Sequence, residues 1–309
     1  MPAWKIVPEA GARRVFPPLV EVEVKALACQ LPGESGVPLS RFSAAEIAAE
    51  VVRRGIVASI SDTTVWRWLS ADAIRPWRHR SWIFPRDPDF ERKATRVLDL
   101  YHGRWRGRSL GVDEHVICAD EKTSIQARSR KHPPLAPAPA RPMRVEHEYA
   151  RQGALAYVAA WDTNAARIFG RCEAKSGIKP FDALVAQVMS QQPYRNAKRV
   201  FWIIDNGSSH RGERCVQRLQ QAWPNLVAVH LPLHASWLNQ IEIYFSVVQR
   251  KVLTPNDFCS PAAVANRIIE FQARYEQIAK PFEWRFTRQD LARLMSKLAD
   301  RTQPLAHAA

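Results

Sequence analysis

The run "RVFWIID", Arg199 to Asp205, is a block of apolar residues that stops at an aspartate, followed at once by the turn signal Asn206-Gly207. A run of that length, bounded in that way, reads as a buried strand. The stretch "HVICAD", His115 to Asp120, repeats the design. Both aspartates therefore fall at the carboxyl edge of a sheet, and if the strands are neighbours the two carboxylates face each other. Like charges at that range raise one another's pKa unless a cation neutralises them. Oxygen ligands with open positions suit Mg2+ or Mn2+. Each aspartate also has a plainer reading: Asp205 could cap its strand within an Asp-Asn-Gly turn, and Asp120, followed by Glu121 and Lys122, could be a solvated strand end.

The surrounding pattern is that of an α/β core with a mixed sheet. The segments "RVEHEYA" (144–150), "GALAYVAAWD" (153–162) and "ARIFGRC" (166–172) read as three successive strands. Helices and strands then alternate: "KPFDALVAQVMSQ" (179–191), the strand ending at Asp205, "GERCVQRLQQAW" (212–223), the strand "LVAVHL" (226–231) and the helix "SWLNQIEIYFSVVQRKVL" (236–253). Two more helices follow at 262–278 and 287–299. "HPPLAPAPARP" (132–142) is a Pro/Ala loop. Within the helix over 236–253, Glu242 sits between Ile241 and Ile243, with Leu238 and Phe245 on its face. An ionised carboxylate in such a stripe either reaches solvent at the helix edge or is met by a positive charge. Packed on the same sheet edge, it supplies a third carboxylate. Three such groups suit a pair of divalent ions about 3.5–4 Å apart, which activate a water or 3′-hydroxyl for in-line displacement at phosphorus.

Composition narrows the partners. The 309 residues carry 45 Lys+Arg against 30 Asp+Glu, a formal net charge of +15 and a pI near 10.1. Polyanions are the natural partners. No apolar run is long enough to span a bilayer, and the first residues hold no signal-peptide core, so no membrane partner and no export are expected. Five scattered cysteines without a C-x-x-C pair fit reduced thiols in a cytoplasm. Near the N-terminus a possible short helix in "LVEVEVKALACQL" (19–31) precedes "SAAEIAAEVVRRG" (43–55), where Ser43 and Glu46 form a capping box and Gly55 ends the helix. A second helix follows in "SDTTVWRWLS" with Ser61 as N-cap. This is a helix-turn-helix pattern: Val65, Trp68 and Leu69 would pack inward, leaving Thr63, Thr64, Trp66 and Arg67 for DNA. Arg75, Arg78 and Arg80, in the arginine-rich run that follows, are candidates for phosphate contacts. Two ordinary packed helices are the alternative.

Taken together, "CADEKTSIQ", "WIIDNGSSHRG" and "LPLHASWLNQIEIYFSVVQRKVL", after a helix-turn-helix, resemble the bacterial insertion-sequence branch of the mariner-like DDE transposases, over roughly residues 43–255. The resemblance implies a ribonuclease H-like mixed sheet flanked by helices, with Asp120, Asp205 and Glu242 as a catalytic, metal-binding triad. Asn206 then matches the Asn that commonly follows the second aspartate, Asn239 the one preceding the glutamate by three, and His210 stands near the site. Two Mg2+ or Mn2+ ions, double-stranded DNA (transposon ends and target), a homodimer and a cytoplasmic, nucleoid-associated location in a bacterium are what the family implies. Its reaction is metal-dependent strand cleavage at transposon ends and strand transfer into target DNA. The chain departs at "LHASWLNQIE", where relatives often read Pro-Tyr-Ser-Pro and then Leu-Asn-Pro-Ile-Glu, and residues 1–40 show no clean first helix-turn-helix unit. The expected layout is an all-α DNA-binding region with an arginine-rich linker over 1–110 and a catalytic domain with C-terminal helices over 111–309. The competing expectation is a DNA-binding regulator, or a decayed transposase that binds without cutting.

Overall fold

The structure, a computed structural model, describes residues 16–79, 85–207 and 210–302. The chain forms two compact units, Met1–Trp82 and Ile83–Ala309. In the first, three helices share one core: α1 (Pro18–Ala28), α2 (Ala44–Arg53) and α3 (Asp62–Ala71). Val24 of α1, Ile47 and Val51 of α2, and Val65 and Leu69 of α3 are buried together, with Trp68 against them. The local signals act as expected. Ser43 Oγ accepts from the Glu46 amide at 3.2 Å while Glu46 accepts from the Ser43 amide at 2.6 Å, and Ser61 Oγ caps α3 through Thr64 at 3.1 Å. Gly55, at φ +73°, turns the chain out of α2.

The second unit opens with α4 (Phe90–Tyr101) and a hairpin of β1 (Arg104–Trp105) and β2 (Arg108–Ser109). Then come β3 (Glu114–Ser129), β4 (Ala150–Asp162), β5 (Ile168–Glu173), α5 (Ile178–Met189), β6 (Arg199–Ile204), α6 (Glu213–Ala222), β7 (Leu226–His230), α7 (Ile241–Lys251), α8 (Pro261–Glu276) and α9 (Arg288–Thr302). The five longer strands form one mixed sheet in the order β5-β4-β3-β6-β7; β3, β6 and β7 are parallel, while β4 is antiparallel to both β3 and β5. Strand alternation sorts the apolar residues onto two faces. Val116, Cys118, Phe201 and Ile203 face α4, α7 and α8; Ile117, Ala119, Val200, Trp202 and Ile204 face α5 and α6. The result is helices on both sides of a sheet, the expected α/β architecture. No helix among the described residues is long and apolar enough to cross a membrane.

Three expectations are corrected. The strand expected over 144–150 does not form as such: β3 continues to Ser129 and pairs along its length with β4, and the chain between them crosses as a loop with isolated bridges Leu135–Arg144 and Ala138–Arg141. With polar residues at most of its positions, "RVEHEYA" has too little apolar surface to hold a place in the sheet. The helix expected over 236–253 begins only at Ile241, because Asn239 takes an extended backbone and turns its side chain into the sheet; Ser236–Leu238 is a separate 3-10 turn. Finally, α4, expected in an arginine-rich linker, lies in the second compact unit. Helix α4 belongs to the sheet, where Phe90, Ala94, Val97 and Leu98 are buried beside Val116 and Cys118.

Burial sets the stability cost of substitutions. Trp202, fully buried between the sheet and α5, should cost about 3–5 kcal/mol as Trp202→Ala, seen as a lower urea midpoint at unchanged slope. Trp66, 54% exposed on α3, should change stability by no more than about 0.5 kcal/mol as Trp66→Ala.

Candidate active site

The register of β3 and β6 brings the aspartates together. Cys118 pairs with Ile203 as the last pair of the parallel ladder, and Asp120 and Asp205 each follow by two residues, Asp205 just past the end of β6, near enough for its charge to raise the Asp120 carboxyl. Both share the face of Cys118 and Ile203, the face covered by α7 through Ile241, Tyr244, Phe245 and Val248. Glu242 is half-buried in the first turn of that helix. The turn before α7 is fastened from two sides. Asn239 Nδ2 donates to the Ala119 carbonyl at 3.0 Å and lies 3.5 Å from Asp120 Oδ2. Tyr101 Oη donates to the Leu238 carbonyl at 2.7 Å and accepts from the Gln240 amide at 3.3 Å. Asn239, 1% exposed, thus ties the start of α7 to the residue before Asp120.

The three carboxylates differ in charge state. Burial raises the Asp120 carboxyl; its neighbours Asp205 and Glu242 add to the rise, the Glu121 amide and His210 oppose it, and the group is pushed up to about 7. Burial raises Glu242 too, with Lys122 opposing and Asp205 adding. Asp205 goes the other way: burial would lift it, but hydrogen bonds from His210 and the Gly207 amide hold it below the usual carboxylate range. Neighbouring carboxyls whose environments drive them apart mark a site prepared for charge chemistry. Among the described residues no three His, Cys, Asp or Glu side chains stand close enough together to hold one ion. The donor set itself, three carboxylates of which Asp205 raises the other two, suits a hard divalent cation.

The other expected residues fall as follows. His210 is fully buried, its Nε2 against Asp205 Oδ1, its ring on Phe181 at 4.7 Å, its carbonyl accepting from His230 Nε2 at 2.7 Å. Asn206 donates from Nδ2 to the Leu231 carbonyl at 2.7 Å and so fixes the end of β6 to the end of β7. On α3, Thr63, Trp66 and Arg67 are exposed, and Thr64 is half-buried with its hydroxyl 2.8 Å from that of Ser61. Arg75 and Arg78 are exposed, while Arg80 lies outside the described residues. Tyr101, His230 and Lys122 were not singled out in the sequence. Lys122 carried a signal, since it follows Asp120 by one strand period; Tyr101 carried none.

A carboxyl raised on folding makes the folded chain bind more protons than the unfolded one between about pH 4 and pH 7, so its contribution is full below that window and is lost as pH rises through it. In metal-free buffer, urea midpoints should therefore decline across this range, and Asp120→Asn should flatten the decline. Mg2+ should raise the melting temperature of the wild type more at about pH 8 than at about pH 5.

Comparison with known proteins agrees with this architecture. Residues 115–260 match the model of the DDE superfamily endonuclease family. No curated protein matches the chain. Among solved structures, the Mos1 mariner paired-end complex with Mn aligns with a TM-score of 0.52 at 14% identity, covering 94% of this chain and 79% of that one. The Mos1 paired-end complex with Mg aligns at 0.54 and 15% identity, covering 87% and 76%. At such identity the likeness is one of fold, a ribonuclease H-like mixed sheet flanked by helices. From β3 through α7, this chain is similar to the DDE superfamily endonuclease family.

Proposed function

We propose that the chain is a transposase that cleaves DNA at transposon ends and transfers the strand into target DNA, with Asp120, Asp205 and Glu242 as its catalytic groups. The observation that carries this reading is the register that sets Asp120 beside Asp205 on the face where α7 presents Glu242. The Mos1 complexes with Mn and with Mg share the fold. By analogy, Mg2+ or Mn2+, two ions, would be held by the same three side chains here. When bound, divalent ions supply charge for the leaving oxygen and an acidified attacking hydroxyl.

This chain's own residues supply the positioning. Asn239 holds the start of α7 on β3 and keeps Glu242 near Asp120. His210 and the Gly207 amide keep Asp205 ionised. The first unit is the DNA-reading part of the proposal: Thr63, Thr64, Trp66 and Arg67 on α3 address the major groove, with Arg75, Arg78 and Arg80 on phosphates. The net charge of +15 favours the same partner. Joining two ends calls for a homodimer. A bacterial cytoplasm, at the nucleoid, is the location this reading takes, and the bacterial insertion-sequence branch its source.

Two measurements test the proposal. With Mg2+ and end-containing DNA, Asp205→Asn and Glu242→Gln should each lower nicking by about a hundredfold or more; equal nicking by wild type and Asp205→Asn excludes the proposed site, and binding without any nicking by wild type leaves a DNA-binding regulator. Arg67→Ala should weaken duplex binding, and if Arg67 meets a phosphate the slope of log affinity against log salt should fall by about one.

A further inference from the structure

Beyond the carboxylates, on the wall shared by β3, α7 and the loop before β4, lies a cavity of about 670 Å³. Its origin is a break in the β3–β4 ladder: the register shifts between Lys122 and Ile125, with Ser124 at φ +56°, leaving Thr123 and Ser124 exposed. Bulges of this kind redirect side chains beside functional sites. The far wall is fixed by Asn256, which accepts from the Arg128 amide at 3.0 Å and donates to the Gln126 carbonyl at 2.8 Å.

The lining is cationic and rich in hydrogen-bonding groups, with Lys122, Thr123, Gln126 and Arg128 from β3, Gln249 from α7, and Tyr149. Glu146, the carboxylate among the described lining residues, already accepts from the His132 amide at 2.7 Å. The guanidinium groups of Arg128 and Arg130 lie 4.6 and 5.5 Å from the Tyr149 ring centre, and Tyr149 remains 40% exposed. Gln249 follows Glu242 by seven residues, about two helical turns, on the same side of α7 and roughly 10 Å along it. At the stacked duplex spacing of about 3.4 Å per nucleotide, that is at most some three nucleotides from the carboxylates.

We propose that this cavity receives an unpaired segment of a DNA strand, within about three nucleotides of the phosphate at the carboxylates. The inference rests on the proposed function. A recess lined by amide and hydroxyl side chains suits base edges, which a closed duplex keeps stacked inside, and the Arg128–Tyr149 platform suits a base face. Lys122 and Arg128 attract the backbone.

The test uses the full chain and labelled duplexes that are blunt or carry a single-stranded tail of about six nucleotides of either polarity. Wild type should bind one tailed form about tenfold more tightly than the blunt one. Arg128→Ala, and Thr123→Glu, which adds a charge without removing a contact, should erase that preference and leave blunt-duplex affinity unchanged. If Arg128→Ala melts early, Thr123→Glu decides alone. Equal binding of tailed and blunt DNA by wild type, or a preference that survives Thr123→Glu, overturns the inference. Should that happen while nicking still depends on Asp205, the proposed function stands without this subsite; a tail preference beside Asp205-independent nicking removes the catalytic reading instead.

Discussion

Two aspartates on neighbouring parallel strands, pointing to one face under a helix that brings a glutamate, are held together against their own repulsion. The backbone enforces this, since the ladder from Glu114–Arg199 to Cys118–Ile203 fixes the register before either aspartate is reached. A slip by one residue would send one aspartate to the opposite face, among the side chains that meet α5 and α6. Two apolar cores therefore hold the strands in step. Phe201 and Ile203 pack toward α7 and α8 while Val200, Trp202 and Ile204 pack toward α5 and α6, and burial on both faces leaves no alternative register with the same residues inside.

Much of this was legible in the residues. The apolar runs ending at Asp120 and Asp205 could be seen as strands because each carries its own boundary, and the Ser43–Glu46 and Ser61 caps marked two helix starts from side-chain chemistry alone. What escaped were features set by partners far away in the chain. Helix α7 loses its expected first residues because Asn239 bonds to β3, 120 residues earlier. Helix α4 looked like part of a basic linker, yet its buried face, Phe90, Ala94, Val97 and Leu98, needs the sheet to complete it. Tyr101 fastens the turn before Glu242 across 137 residues, a contact with no local signature.

The opening of α7 shows why a late helix start matters chemically. Had the helix run unbroken from Ser236, Glu242 would sit in its second turn, further from the positive end of the helix dipole. As built, Glu242 occupies the first turn, where the helix dipole favours a carboxylate, and its own amide is bonded to the Asn239 carbonyl at 3.1 Å. Burial pulls the other way and wins, so its carboxyl stays raised. Lys122 opposes that rise and Asp205 adds to it.

Asp205 solves the same problem differently. Its strand ends just before it, and the chain turns back so that the Gly207 amide, 2.7 Å away, and the buried His210 ring both meet its carboxylate. Small size at position 207 is part of the arrangement, because a Cβ there would lie 2.9 Å from Asp205 Oδ1 and 3.0 Å from His210 Nε2. One carboxylate is thus held low by fixed donors, while Asp120, met by the Glu121 amide, is pushed up to about 7 by burial and by its acidic neighbours. That asymmetry eases three acidic groups into one half-buried pocket: the member held low is met by protein donors, while burial and like charge raise the other two.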